Sequence, residues 1–144
     1  DGYTDTGHIG ELMCRSCAVN GIRGLVIDGG YRDRHEIGEI DFPVFGRGTN
    51  PEGPAKNDPG SVNVPISCGG ITVEPGDIIV GDDDGISRVP AEDAATVLDR
   101  ARSKLESEAQ VRDQITEGTY LFNLNDYDQL YEALEDIESD NTDH

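Results

Sequence analysis

The amino-acid sequence predicts an α/β fold. Three observations predict it: helix-period and strand-like segments alternate over the first 46 residues, short strands with closely spaced turns follow, and one long amphipathic helix comes after them. At 144 residues the chain is of single-domain size, long enough to bury one core. We read an α/β domain over 1–118 and a helix with an acidic tail over 119–144.

Ile9, Leu12, Met13, Cys17 and Val19 follow helical spacing, with Asp5 or Thr6 to cap and Gly21 to terminate, which predicts a helix over 8–19. "RGLVID" (23–28) is a short buried strand running into a Gly29-Gly30 turn. A brief helix over 33–39 and a strand at "FPVFG" (42–46) come next. That order, α, β, short α, β, suggests parallel strands joined by helical crossovers.

"GRGTNPEGPAKNDPGSVN" (46–63) is dense in Gly, Pro and Asn and reads as a long loop of the kind that serves or covers a site. Over 62–90, Gly-Gly, Pro-Gly-Asp and Asp-Asp-Gly turns punctuate short strands, which predicts a compact antiparallel β section, part of a barrel. From Ala91 to Ile115 a helix carries Ala94, Val97, Leu98, Ala101, Leu105 and Ala109 on one stripe, and Gly118 ends it. A second helical pattern over 126–137 places Tyr127, Leu130, Tyr131, Leu134 and Ile137 on one face, for packing on this chain or on a neighbouring subunit.

Thirty acids against 11 bases give a formal charge of -19, and Lys56 and Lys104 are the only lysines. Such a charge repels phosphate backbones and anionic lipid, so neither nucleic acid nor membrane is an expected direct partner. Few lysines, many acids and modest apolar content resemble adaptation to high salt, where screening removes self-repulsion. Thermal melts in low and in multimolar KCl check this: a higher melting temperature at high salt is expected, and equal stability in both would exclude it. No window approaches the roughly 18 apolar residues of a membrane span, and no signal-peptide pattern is present, so the cytoplasm is the expected compartment. Three cysteines without a secretory signal argue for reduced thiols. The sequence opens without Met, and a processed or truncated start is the expectation.

Chemistry concentrates in "GGYRDRHE". Arg32 offers a planar fork of donors suited to a carboxylate or an enolate oxygen, and Asp33 a hard oxygen ligand suited to Mg2+ or Mn2+. Arg32, Asp33 and Glu36 read equally well as a surface ion pair with helix-capping carboxylates. In "GHIGELM" two glycines stand at the mouth of a helix, where free amides and the dipole favour a small anion, although a plain glycine loop has the same sequence. "CRSC" reads first as two small packing residues, with metal or redox use the lesser alternative. His8 and His35 are ordinary polar residues on this reading, and Asp82 to Asp84 a turn between strands.

"GELM", "GIRGLVIDGGYRD", "FPVFGRG", "VNVPISCGGITVEPGDIIVGDDDG" and "VP", in that order over about 7–118, resemble the RraA-like proteins. That group holds the regulator of ribonuclease activity A and the metal-dependent 4-hydroxy-4-methyl-2-oxoglutarate aldolases. The resemblance implies a swivelling β/β/α fold, assembled as trimers or hexamers with active sites between subunits. In the aldolases a Gly-containing loop binds the pyruvate carboxylate through backbone amides, an Arg contacts substrate oxygens and the adjoining Asp serves the divalent metal. Carried onto this chain, the loop is Gly10, Glu11, Leu12 and Met13, the Arg is Arg32 and the metal ligand is Asp33.

Glu36 supplies the acid that the aldolase pattern asks for three positions after the Asp. Glu11 is a candidate to hold a metal-bound water, the expected base, and Glu108 on the long helix to reach a neighbour's site. The implied activity is that of a class II pyruvate lyase with oxaloacetate decarboxylation, acting on a small 2-oxo acid. The alternative is a non-catalytic regulator of a ribonuclease or helicase. Members carry strands and helices before the "GELM" region and little precedes it here, so a fragment, or elements supplied by another chain, is expected.

Overall fold

The computed structural model describes residues 2–57, 59–124 and 127. Apart from Tyr127, the second helical pattern lies outside the described residues. The chain divides into two compact units, Asp1–Glu92 and Asp93–His144.

The first unit opens with a parallel sheet in the order β1 (Tyr3–Ile9), β2 (Leu25–Tyr31), β3 (Val44–Thr49), linked through α1 (Glu11–Val19) and α2 (Arg34–Gly38). Parallel strands with helical crossovers are what the sequence order predicted. The beginning differs: residues 3–9 are strand, and the helix expected from residue 8 starts at Glu11. Thr4 and Thr6 suit a pleated edge, and the backbone of the segment is taken up by β2 rather than by a helical turn. Gly10, extended at φ -130° and ψ 179°, caps α1, so neither Asp5 nor Thr6 does. At the other end Gly21 takes the left-handed φ of +81° that a helix terminator needs.

Gly29 and Gly30 do not form the expected turn. Both lie inside β2 and both are buried, because β1 runs tightly against them. A Cβ on Gly29 would stand 2.8 Å from Tyr3 O, and one on Gly30 2.5 Å from Thr6 O. The chain turns only after Tyr31, at Arg32 and Asp33.

Cys14, Ile37 and Phe42 form the buried centre, flanked by Ile9, Cys17, Leu25, Tyr31, Ile40 and Val44. Cys14 is therefore a packing residue, and burial pushes its thiol above the ordinary range, with Cys17 adding to the effect. All three cysteines are free thiols.

β3 runs on through Thr49, so the irregular segment begins at Asn50. Two antiparallel hairpins follow, β4 (Ile66–Cys68) with β5 (Ile71–Val73) and β6 (Ile78–Asp82) with β7 (Gly85–Val89). Among the described residues they form separate two-stranded ladders, not the barrel expected from the regular turns. Asp82 Oδ1 accepts from Asp84 N and Gly85 N at 3.0 and 3.2 Å, which makes the acidic triplet a hairpin turn.

Asp28 ties the first hairpin to the sheet. Its carboxylate pairs with Arg47 on β3 and accepts Gly69 N–H at 3.1 Å. The Arg47 hydrogen bond, followed by that of Gly69, holds the carboxyl down at about 2, so the pair stays charged well into acid.

A 3-10 turn (Ala91–Asp93) runs from the end of the first unit into α3 (Ala94–Thr116) of the second, which ends at Gly118 with φ +99°. Glu108 sits midway along α3, 3.5 Å from Lys104 and 3.8 Å from Arg112. No helix among the described residues is long and apolar enough to cross a membrane.

Candidate active site

The register of β1 on β2 pairs Ile9 with Tyr31, so the next residues, Gly10 and Arg32, leave the sheet side by side at the carboxyl ends of two parallel strands. Arg32 N–H still donates to Ile9 O at 2.8 Å, which extends the ladder by one bond. Asp33 then takes φ 58° and ψ 40°, the left-handed region. Asp tolerates that region better than most side chains, and a non-glycine residue held there marks a place where the fold overrides local preference.

This conformation lets Asp33 serve two helices. Its carbonyl accepts Ile37 N–H at 2.9 Å and so starts α2, while its Oδ2 accepts Glu11 N–H at 2.9 Å and caps α1. Arg32 donates from Nη1 to Gly7 O at 2.6 Å, and its Nε lies 3.8 Å from Asp33 Oδ2. The two side chains remain 34% and 42% exposed, open to a ligand.

Gly10 completes the junction. A Cβ there would fall 2.5 Å from Asp33 Oδ2 and 2.9 Å from Arg32 Nε, so any side chain would force the two charged groups apart.

Gly10, Glu11, Arg32 and Asp33 are thus brought together. Met13 N–H donates to Gly10 O at 3.2 Å, and the side chains of Leu12 and Met13 point outward at 80% and 50% exposure. Two of the loop's amides, those of Glu11 and Met13, therefore already have acceptors within the protein. The Glu11 carboxylate pairs with Arg15 one turn along α1. Glu36 lies exposed in the first turn of α2, with no hydrogen bond or ion pair to Arg32 or Asp33 among the described residues. Glu108 belongs to the second unit.

The sequence reading put Gly7, the first glycine of "GHIGELM", at the mouth of the helix; it lies instead inside β1, where its carbonyl holds Arg32, a role with no signal in the sequence. An apolar groove of about 640 Å³, lined by Val26, Phe45, Ile71, Ile79 and Ile86 among others, contains none of the junction residues.

Known proteins agree with the resemblance. The RraA-like family profile (Aldolase/RraA) matches residues 1–87. An uncharacterized protein of Methanocaldococcus jannaschii is 36% identical over 118 residues, 82% of this chain and 57% of the relative. A protein of Halalkalibacterium halodurans with the provisional name 4-hydroxy-4-methyl-2-oxoglutarate aldolase is 41% identical over 95 residues, 66% of this chain and 45% of the relative. The chain thus spans about half the length of the curated relatives it matches.

Among solved structures, a Streptomyces coelicolor protein described as an unusual member of the RNase ES inhibitor RraA protein family superposes with a TM-score of 0.73 at 32% identity. That likeness covers 78% of this chain and 58% of the other. With the profile spanning more than half of its residues, and with the same fold at this level of identity, the chain belongs to the RraA-like family.

Proposed function

We propose that the protein is a divalent-metal-dependent lyase that cleaves a 4-hydroxy-2-oxo acid, of the 4-hydroxy-4-methyl-2-oxoglutarate type, to pyruvate through an enolate, and that it decarboxylates oxaloacetate at the same site. The junction of Gly10, Arg32 and Asp33 carries this reading. It sets a helix entrance free of side chain beside a guanidinium and an accessible carboxylate.

The donor set fits a hard, hydrated cation. Asp33 brings a carboxylate oxygen, and Mg2+ or Mn2+ is commonly held through one or two protein carboxylates, with substrate and water completing the shell. When bound, the cation supplies positive charge that stabilises an enolate oxygen.

The protein's own groups do the rest. The positive end of the α1 dipole draws the substrate carboxylate to the helix entrance, where the Glu11 and Met13 amides are already taken by Asp33 Oδ2 and Gly10 O. A carboxylate oxygen is accommodated there already: that of Asp33 lies 2.9 Å from Glu11 N. Arg32, anchored through Nη1, turns its remaining donors to the 2-oxo oxygen and holds the charge that gathers there as the C3–C4 bond breaks. The bonding pair enters the enolate while the C4 hydroxyl passes its proton to a water that Glu11 would hold and becomes a carbonyl, and C3 of the enolate then takes a proton back from that water to give pyruvate. In oxaloacetate the corresponding bond breaks with loss of CO2.

Glu11 and Glu36 are the further acids of the site. In a trimer or hexamer, Glu108 of one subunit would serve the site of another.

The test is pyruvate release from 4-hydroxy-4-methyl-2-oxoglutarate and from oxaloacetate, with and without Mg2+, on protein of measured mass and oligomeric state. Metal-dependent release from at least one is expected, and none from either overturns the proposal. One observation favours a second reading, a non-catalytic regulator of a ribonuclease or helicase: the likeness to a member of an RNase-inhibitor family. Inhibition of a ribonuclease by protein that releases no pyruvate would establish it.

A further inference from the structure

The segment after β3 folds back across β1. Asn50 N–H donates to Tyr31 O at 2.9 Å, and its side-chain amide donates to Thr4 O at 3.2 Å. Asn50 Oδ1 accepts Glu52 N–H at 2.9 Å, an Asx turn. The turn delivers the Glu52 carbonyl to Gly7 N–H at 2.7 Å. Gly7 in turn offers its own carbonyl to Arg32 Nη1 at 2.6 Å.

Gly7 has no room to shift. A Cβ on it would stand 2.2 Å from Asn50 O and 2.9 Å from Arg32 Cβ. The residue that fixes the guanidinium is therefore itself clamped by residues 50 and 52.

We propose that Asn50 is a positioning residue for Arg32: acting through Glu52 and Gly7, it sets where the guanidinium points. Its effect on catalysis rests on the lyase reading, whereas its effect on the guanidinium does not. Asp33 is tied to Glu11 N–H instead of to this strap, so losing Asn50 disturbs the oxyanion donor and leaves the cation ligand in place. A group acting through another is worth what the lost alignment is worth, about tenfold to a hundredfold where a charged donor is misplaced by an ångström.

Nitrogen NMR of the Arg32 guanidinium, assigned through Arg32→Lys, reads the strap directly as slow rotation about the Nε–Cζ bond. Asn50→Ala is expected to speed that rotation. It is also expected to weaken oxalate, a planar dianion shaped like the pyruvate enolate, by about tenfold or more. Mn2+ affinity should stay unchanged. Asn50→Asp keeps the acceptor for Glu52 N–H and loses the donor to Thr4 O, so it should fall between wild type and Asn50→Ala. Should Asn50→Ala not fold, Asn50→Asp decides by the same readings. Unchanged rotation and oxalate affinity in a folded variant would overturn the proposal, as would an equal loss of Mn2+ and oxalate affinity, which marks general loosening. If the wild-type protein binds no oxalate, the lyase reading falls while the rotation rate still tests the strap.

Discussion

Asp33→Ala is expected to reduce metal-dependent pyruvate release to the metal-free background. The substitution removes the carboxylate offered to the cation, and it also removes the acceptor of Glu11 N–H that caps α1. It further leaves alanine at φ 58°, a left-handed conformation that costs an ordinary L residue roughly 1–2 kcal/mol. Asp33→Asn separates lost chemistry from lost structure. Asparagine tolerates the left-handed region and still presents an oxygen to Glu11 N–H, so it changes chiefly the charge. The expected result is near-background turnover in both variants, with a melting temperature near wild type only in Asp33→Asn. Near-normal metal-dependent activity in either would remove Asp33 as the ligand.

Arg32→Lys is expected to lower kcat/KM by about a hundredfold, the range seen when one preorganised donor to a developing oxyanion is lost. Charge is retained, so the expectation rests on geometry. Arg32 uses one terminal nitrogen on Gly7 O and lies close to Asp33 with Nε, and the planar fork leaves a further donor in a fixed direction. A lysine ammonium has a single nitrogen, which serves Gly7 O or a substrate oxygen with no rigid relation between them. Arg32→Ala should fall lower still. Activity in Arg32→Lys within about threefold of wild type would mean that charge alone suffices at this position, against the forked-donor argument.

Much of this architecture was legible in the sequence. The Gly21 and Gly118 terminators, the short α2 and the turns at Gly69-Gly70 and Asp82 to Asp84 are local signals, and each is found close to where its pattern put it, whereas the apolar stripe read for α1 is not: Ile9 lies in β1, Leu12, Met13 and Val19 are exposed, and Cys14 is the buried residue. What was not legible is non-local. Residues 3–9 carry mostly polar side chains with glycine among them, and they become a strand because β2 lies alongside. Gly29-Gly30 has the composition of a turn, yet both residues stay in β2 because the β1 carbonyls leave no room for a Cβ.

The site divides along the same line. Arg32, Asp33 and Gly10 were visible as residue types in sequence order. That Asp33 turns left-handed and reaches back to α1 follows from the pairing of two strands, which no local pattern encodes.

That pairing has a consequence for how such a site is kept or lost. Because Ile9 lies opposite Tyr31, the sheet acts as a ruler that sets the spacing between the anion-binding corner and the charged pair. One residue of slippage between β1 and β2 would move Gly10 along the ruler by about 3.3 Å, more than the length of any hydrogen bond in the junction. A length change in β1 would thus silence the site with every one of its side chains intact, and substitutions that preserve the ruler leave the chemistry free to vary.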